Sequence, residues 1–166
     1  MTVVRTVHIL RHAHSSWAVP GQRDHQRALD DRGREDAARL AAHLGGRGAS
    51  VARVACSTAV RARQTLDIVR GALPDALDIR FDDDLYALGP AAYEAQIRAF
   101  GGPGDLLLVG HNPTIEQLVF ALCTRETPAL RLARPGIGTA HWLTLEIEGD
   151  ALDGAMRATL QDIVRP

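Results

Sequence analysis

Short apolar runs alternate with stretches of helical period along most of this chain, and few architectures accept that alternation. Val3 to Leu10, Val51 to Ser57, Leu77 to Phe81 and Leu106 to Val109 are short and aliphatic or β-branched, which suits strands. Between them the period changes. Ala37, Leu40, Ala41 and Leu44 recur at helical spacing behind Asp30 or Asp31 as N-cap, with Gly45-Gly46 as the stop. Further helices are predicted at about Val60 to Ala72, about Ala91 to Phe100 and about Thr114 to Cys123, while Asp82 to Pro90 reads as a polar loop. Two late strands, about Thr139 to Glu148 and about Met156 to Ile163, meet across Gly149-Asp150 and Gly154 as an antiparallel edge addition. Such alternation predicts βαβ units. The expected fold is a single three-layer α/β/α domain over residues 1–166, with a mainly parallel sheet and an antiparallel edge.

In a parallel sheet of this kind, ligands sit outside the carboxyl ends of the strands. Arg11 and His12 stand where the first strand ends. Arg61 follows the second strand, and His111 opens the loop after Leu106 to Val109. Two cations and two imidazoles therefore converge on one sheet edge. A guanidinium grips two phosphate oxygens through its planar fork. A neutral imidazole can attack phosphorus and split the displacement into two steps. His12 is the expected nucleophile, and the helix that follows His111 adds the partial positive charge of its N-terminus. Metal binding by His12, His14 and His111 is disfavoured, because two guanidiniums aimed at the same spot repel a cation. No cofactor is expected.

Composition removes several alternatives. A net charge of -1 gives no reason to expect a nucleic-acid or anionic-membrane partner. All 19 basic residues are Arg, so a single Arg carries weight only where its position explains it. Cys56 and Cys123 are too few for a disulfide framework and lie in apolar surroundings. Arg5 and His8 interrupt the first apolar segment, so no signal-peptide pattern opens the sequence, and no apolar run approaches the ~20 residues of a membrane helix. A cytoplasmic enzyme is the default expectation.

Leu10-Arg11-His12-Ala13, the segment STAVRARQT from Ser57 to Thr65, and Gly110-His111-Asn112-Pro113 together resemble the histidine phosphatase (phosphoglycerate mutase-like) superfamily. The stretch Arg27 to Arg34 and the RHAHSSW opening look most like its compact SixA-type branch of phosphohistidine phosphatases. The resemblance implies a metal-independent phosphatase in which His12 is phosphorylated and Arg11, Arg61 and His111 complete the phosphate pocket. It implies a substrate contact for Arg27; Ser15, at the start of the same loop, is a second substrate-binding candidate. The chain departs from the family pattern at Ala13, where glycine is usual, and at Thr58, where proline often follows the serine. A glutamate in the general-acid segment is also missing.

Asp84, before Leu85-Tyr86, is the nearest substitute in that segment; an ordinary solvated acidic loop is the other reading. An acid must keep its proton near neutral pH, which asks for burial or like-charge neighbours. Phosphohistidine expels a better leaving group than an alkyl phosphate. The gap therefore favours a phosphohistidine-bearing protein or a small activated phosphoester as substrate. A non-catalytic phosphate-recognising or protein-binding module of the same fold is the alternative, and a phosphoglycerate mutase-like enzyme is a third. Oligomeric state is left open.

Overall fold

The computed structural model of the chain describes residues 5–17, 19–149 and 154–166. Val3 and Val4 of the first predicted strand, and Asp150 of the late turn, lie outside them. The strands are β1 (Arg5–Arg11), β2 (Val51–Ser57), β3 (Asp78–Asp82), β4 (Asp105–Gly110), β5 (Trp142–Glu148) and β6 (Arg157–Val164). The helices are α1 (Asp31–His43), α2 (Val60–Val69), α3 (Asp84–Ala87), α4 (Pro90–Ala99), α5 (Thr114–Leu122) and α6 (Pro128–Ala133). One sheet holds the strands in the order β3-β2-β4-β1-β5-β6. The first four run parallel, and β5 and β6 extend the sheet antiparallel from β1.

Alternation along the central strands explains the layers. On β4, Leu107 and Val109 pack with Leu40 of α1 and Leu66 of α2. Leu106 and Leu108 pack on the other face with Tyr93 and Ile97 of α4 and Ile115 and Leu118 of α5. A strand covered on both faces must be apolar at every position, which is why 106–109 reads as a continuous run. Each such side chain contributes roughly 1.5–3 kcal/mol by leaving water, before the entropy of ordering it is counted. Cys56 and Cys123 are buried free thiols, and burial pushes them up to about 12 and about 11, away from thiolate chemistry.

Local signals set several boundaries. Asp30 caps α1 by accepting the Gly33 N–H at 2.8 Å. Gly33 is required there, because a Cβ would overlap the His14 carbonyl that α1 packs against. Two short helices depart from the expectation. The segment read as a polar loop contains α3, whose first turn is closed by Asp82 accepting the Asp84 N–H at 2.9 Å and anchored by buried Leu85. The other, α6, starts at Pro128 behind Thr127, which accepts the Leu130 N–H at 3.0 Å.

Candidate active site

β1 and β4 are paired with Arg11 opposite Gly110, and the ladder continues one step as His12 N–H donates to the Gly110 carbonyl at 3.0 Å. That register delivers His12 and His111 side by side, with ring centroids 5.1 Å apart. Gly110 leaves room for Tyr93, whose hydroxyl a Cβ at this position would overlap. The Tyr93 hydroxyl accepts the His111 N–H and donates to the Leu85 carbonyl, both at 3.1 Å, so α4 fixes the His111 loop and α3 together.

The ring of His12 keeps one nitrogen unprotonated. Its Nδ1–H donates to the Ala13 carbonyl at 2.7 Å, which puts the proton on Nδ1 and leaves the lone pair on Nε2. Arg61 Nε–H points at that lone pair from 3.4 Å. Ala13 is fully buried, and its N–H donates to Thr65 Oγ1 at 2.9 Å. Its backbone is not among the positive-φ residues, so the position usually given to glycine accepts a methyl without strain.

Arg11 is aimed by backbone rather than by a carboxylate. Its Nη1 donates to the Ile137 carbonyl at 2.7 Å, and its Nε is buried with no hydrogen-bond partner among the described residues. Asn112 and Glu116 hold Ile137 in place: Glu116 Oε1 accepts the Ile137 N–H at 2.8 Å and the Asn112 amide at 2.9 Å. Ser57 Oγ accepts the Ala59 N–H at 3.2 Å and sits 2.7 Å from His111 Nε2. A hydroxyl proton given to Nε2 leaves the ring's own proton on Nδ1, which is buried and also unpartnered. In that tautomer Arg11 Nε and His111 Nδ1 are two bare donors. Bare buried donors are costly unless a ligand fills them.

Arg61 carries what the sequence did not disclose. Its Nη1 donates to the Asp24 carbonyl at 2.8 Å and its Nη2 to Asp24 Oδ2 at 3.0 Å. Tyr86 donates its hydroxyl to the same Oδ2 at 3.0 Å, and Arg27 Nη1 donates to Oδ1 at 2.9 Å. Burial pulls Asp24 upward, but the hydrogen bond and charge of Arg61, then Tyr86 and Arg27, hold it below the usual carboxylate range. The turn carrying Asp24 is fastened by His25, whose Nε2 lies 2.8 Å from Thr58 Oγ1. Arg27 also donates to Ser15 Oγ at 2.6 Å and to the Ser16 carbonyl at 3.0 Å, so the predicted pair Arg27 and Ser15 braces the loop. Asp84 is exposed on α3, and the side chain of that helix that reaches the site is Tyr86, 5.7 Å from the His111 ring.

The remaining imidazoles are otherwise engaged. His14 Nδ1 lies 2.6 Å from Asp30 Oδ2, and His8 is buried between Thr144 and Asp105, at 3.0 Å from each. Among the described residues no group of three or more His, Cys, Asp or Glu is arranged to hold a metal.

Burial keeps the central imidazoles neutral and makes stability depend on pH. Burial lowers His12 to about 4, against the Ala13 carbonyl and helped by Arg61, Arg11 and Arg27. Burial, then His12 and Arg61, lower His111 to about 3. His8 is lowered by burial against the pull of Asp105. In the unfolded chain these groups return to the ordinary value near 6.5. Between about pH 6.5 and about pH 4 the unfolded state binds protons that the folded state refuses, so stability is full above that window and is lost as pH falls through it. The slope is on the order of 1.4 kcal/mol per pH unit for each imidazole whose protonation differs fully. The urea midpoint is expected to fall steadily from about pH 7 to about pH 5. A flat profile would contradict three neutral buried rings.

Residues 7–99 match the family model of the histidine phosphatase superfamily (branch 1). The structure of the candidate phosphohistidine phosphatase SixA from Agrobacterium tumefaciens is similar, at 31% identity and a TM-score of 0.81, covering 97% of this chain and 98% of that one. The candidate phosphohistidine phosphatase SixA from Nakamurella multipartitia is 30% identical with a TM-score of 0.82, covering 99% and 97%. An uncharacterised protein of Mycobacterium leprae is 32% identical over 158 residues, 86% of this chain and 96% of its own length.

Proposed function

The chain belongs to the histidine phosphatase superfamily, in its SixA-type branch with the phosphoglycerate mutase-like fold, and from that premise we propose that it hydrolyses phosphorylated substrates through a covalent phosphohistidine on His12. One observation carries the reading: the unprotonated Nε2 of a neutral, buried His12 faces Arg61, with Arg11 and His111 beside the ring. No metal or cofactor enters the scheme.

The phosphoryl group takes the place of the Asp24 carboxylate on Arg61, and its oxygens fill the empty donors at Arg11 Nε and His111 Nδ1. His12 Nε2 attacks phosphorus. The P–N bond forms as the bond to the leaving atom breaks, and Nδ1–H stays on the Ala13 carbonyl, which steadies the charge gained by the ring. Asp24, displaced yet still beside the group, is the acid that protonates the leaving atom, in place of Asp84. In the second step water attacks phosphorus, gives its proton to Asp24, and the P–N bond breaks to release phosphate. A preorganised donor of this kind typically contributes ~2.7–4 kcal/mol to the transition state.

The substrate reading is a phosphohistidine-bearing protein first and a small phosphorylated metabolite second. The names of the Agrobacterium and Nakamurella relatives support the first.

The test is an alkaline quench during turnover of a phosphorus-labelled aryl phosphate. Label is expected on the peptide containing His12, stable to base and lost in acid, with turnover blocked by vanadate and indifferent to chelators. Turnover without label on His12 would overturn the covalent scheme. Vanadate binding without any turnover would favour the non-catalytic module.

A further inference from the structure

Arg11 faces two ways. Beside the phosphate pocket it also lines an open cleft of about 470 Å³, formed with Glu116, Gly138, His141, Arg165 and the Pro135 end of the α6 loop. Arg11 directly precedes His12 in the chain, so the cleft it lines adjoins the strand end that carries the nucleophile.

The cleft presents donors. His141 Nδ1 accepts the Gly138 N–H at 2.9 Å, so a neutral ring must carry its proton on Nε2. Burial, with Arg165 and Arg11 adding to it, lowers this imidazole to about 4, so the neutral form prevails. Gly138 keeps that edge clear, since a Cβ would come within 2.6 Å of Nε2. Arg165 is held at both ends: its Nη2 donates to the Leu132 carbonyl at 2.7 Å, and its own carbonyl accepts from His43 Nδ1 at 3.1 Å. Glu116 is the carboxylate in the lining, and its Oε1 already accepts two hydrogen bonds. Arg165, whose charge the phosphoryl group does not use, is the cation this lining offers to a second anionic group.

Building on the phosphatase reading, we infer that this cleft receives a carboxylate carried on the leaving group of the substrate, gripped by Arg165, His141 Nε2–H and the outer side of Arg11. Within the second substrate reading, the small phosphorylated metabolite, the class is thus narrowed to phosphoesters with a carboxylate a short distance from the phosphoryl.

Phenyl phosphate and 3-carboxyphenyl phosphate differ in the carboxylate while their leaving groups are of similar basicity. At low ionic strength the protein is expected to favour the carboxylated ester about tenfold in kcat/KM, the order of one charge-assisted contact. Arg165→Met should bring the ratio to about one, and Arg165→Lys should keep part of it. A ratio near one in the unaltered protein, or a preference that survives Arg165→Met, would overturn the cleft assignment while leaving the phosphatase reading intact. Failure to hydrolyse either ester would overturn the phosphatase reading and this one with it.

Discussion

Replacing His12 with Ala is expected to reduce hydrolysis of an aryl phosphate on the order of 10⁵-fold or more, the scale seen when a covalent nucleophile is removed. The loss should lie in kcat, because Arg61, Arg11 and His111 remain to hold the phosphoryl group, and phosphate should still bind within about tenfold of its original affinity. Folding should survive. The ring is 8% exposed at a strand's end, and its hydrogen bonds are one to the Ala13 carbonyl and one from Arg61. Circular dichroism and the urea midpoint check that point beside the kinetics. Turnover within about tenfold of the original rate would mean that water, and not His12, attacks phosphorus.

Arg11, His12, Arg61 and His111 were legible in the sequence because backbone topology alone places them. A residue immediately after a parallel strand is at the sheet's carboxyl edge whatever its side chain does. The central strands were legible for a related reason, since β4 is covered on both faces and reads as unbroken apolar chain. Asp24 was not legible. It lies on a short turn in a loop of mixed polarity, and its meeting with Arg61 joins residues 37 positions apart. The closest local hint was its i,i+3 pairing with Arg27, which on its own marks an ordinary surface ion pair.

The acidic segment after β3 shows how near a sequence argument can come. Its helical turn buries Leu85, directs Tyr86 toward Asp24 and leaves Asp84 in solvent. Reading that segment as a loop removed the periodicity that separates Tyr86 from Asp84. Asn112 and Glu116 were missed as a pair for a different reason. Their spacing of four suits helical contact, but what they grip is the backbone of Ile137, and backbone carries no sequence signal.

Asp24→Asn is expected to separate the two roles that its position suggests. As an acid, Asp24 matters in proportion to the basicity of the leaving atom. Loss should therefore cut kcat on an alkyl phosphate about 10²- to 10³-fold and leave an aryl phosphate nearly unchanged. As an internal anion on Arg61, Asp24 competes with substrate, so Asp24→Ala should raise vanadate affinity, by roughly tenfold for one charge-assisted hydrogen bond no longer displaced. The proton is supplied by substrate. Asp24 is held ionised in the free protein, while a phosphate monoester gives up its last proton near pH ~6. A monoanionic ester meeting an ionised Asp24 is equivalent to a dianion meeting the protonated acid. kcat/KM on alkyl phosphates should accordingly fall as pH rises through about 6, and Asp24→Asn should weaken that dependence. If vanadate affinity rises in Asp24→Ala while the alkyl-to-aryl ratio stays put in Asp24→Asn, the carboxylate is a plug over Arg61 and the leaving group departs unprotonated. Only a substrate with a weakly basic leaving atom would then be turned over efficiently.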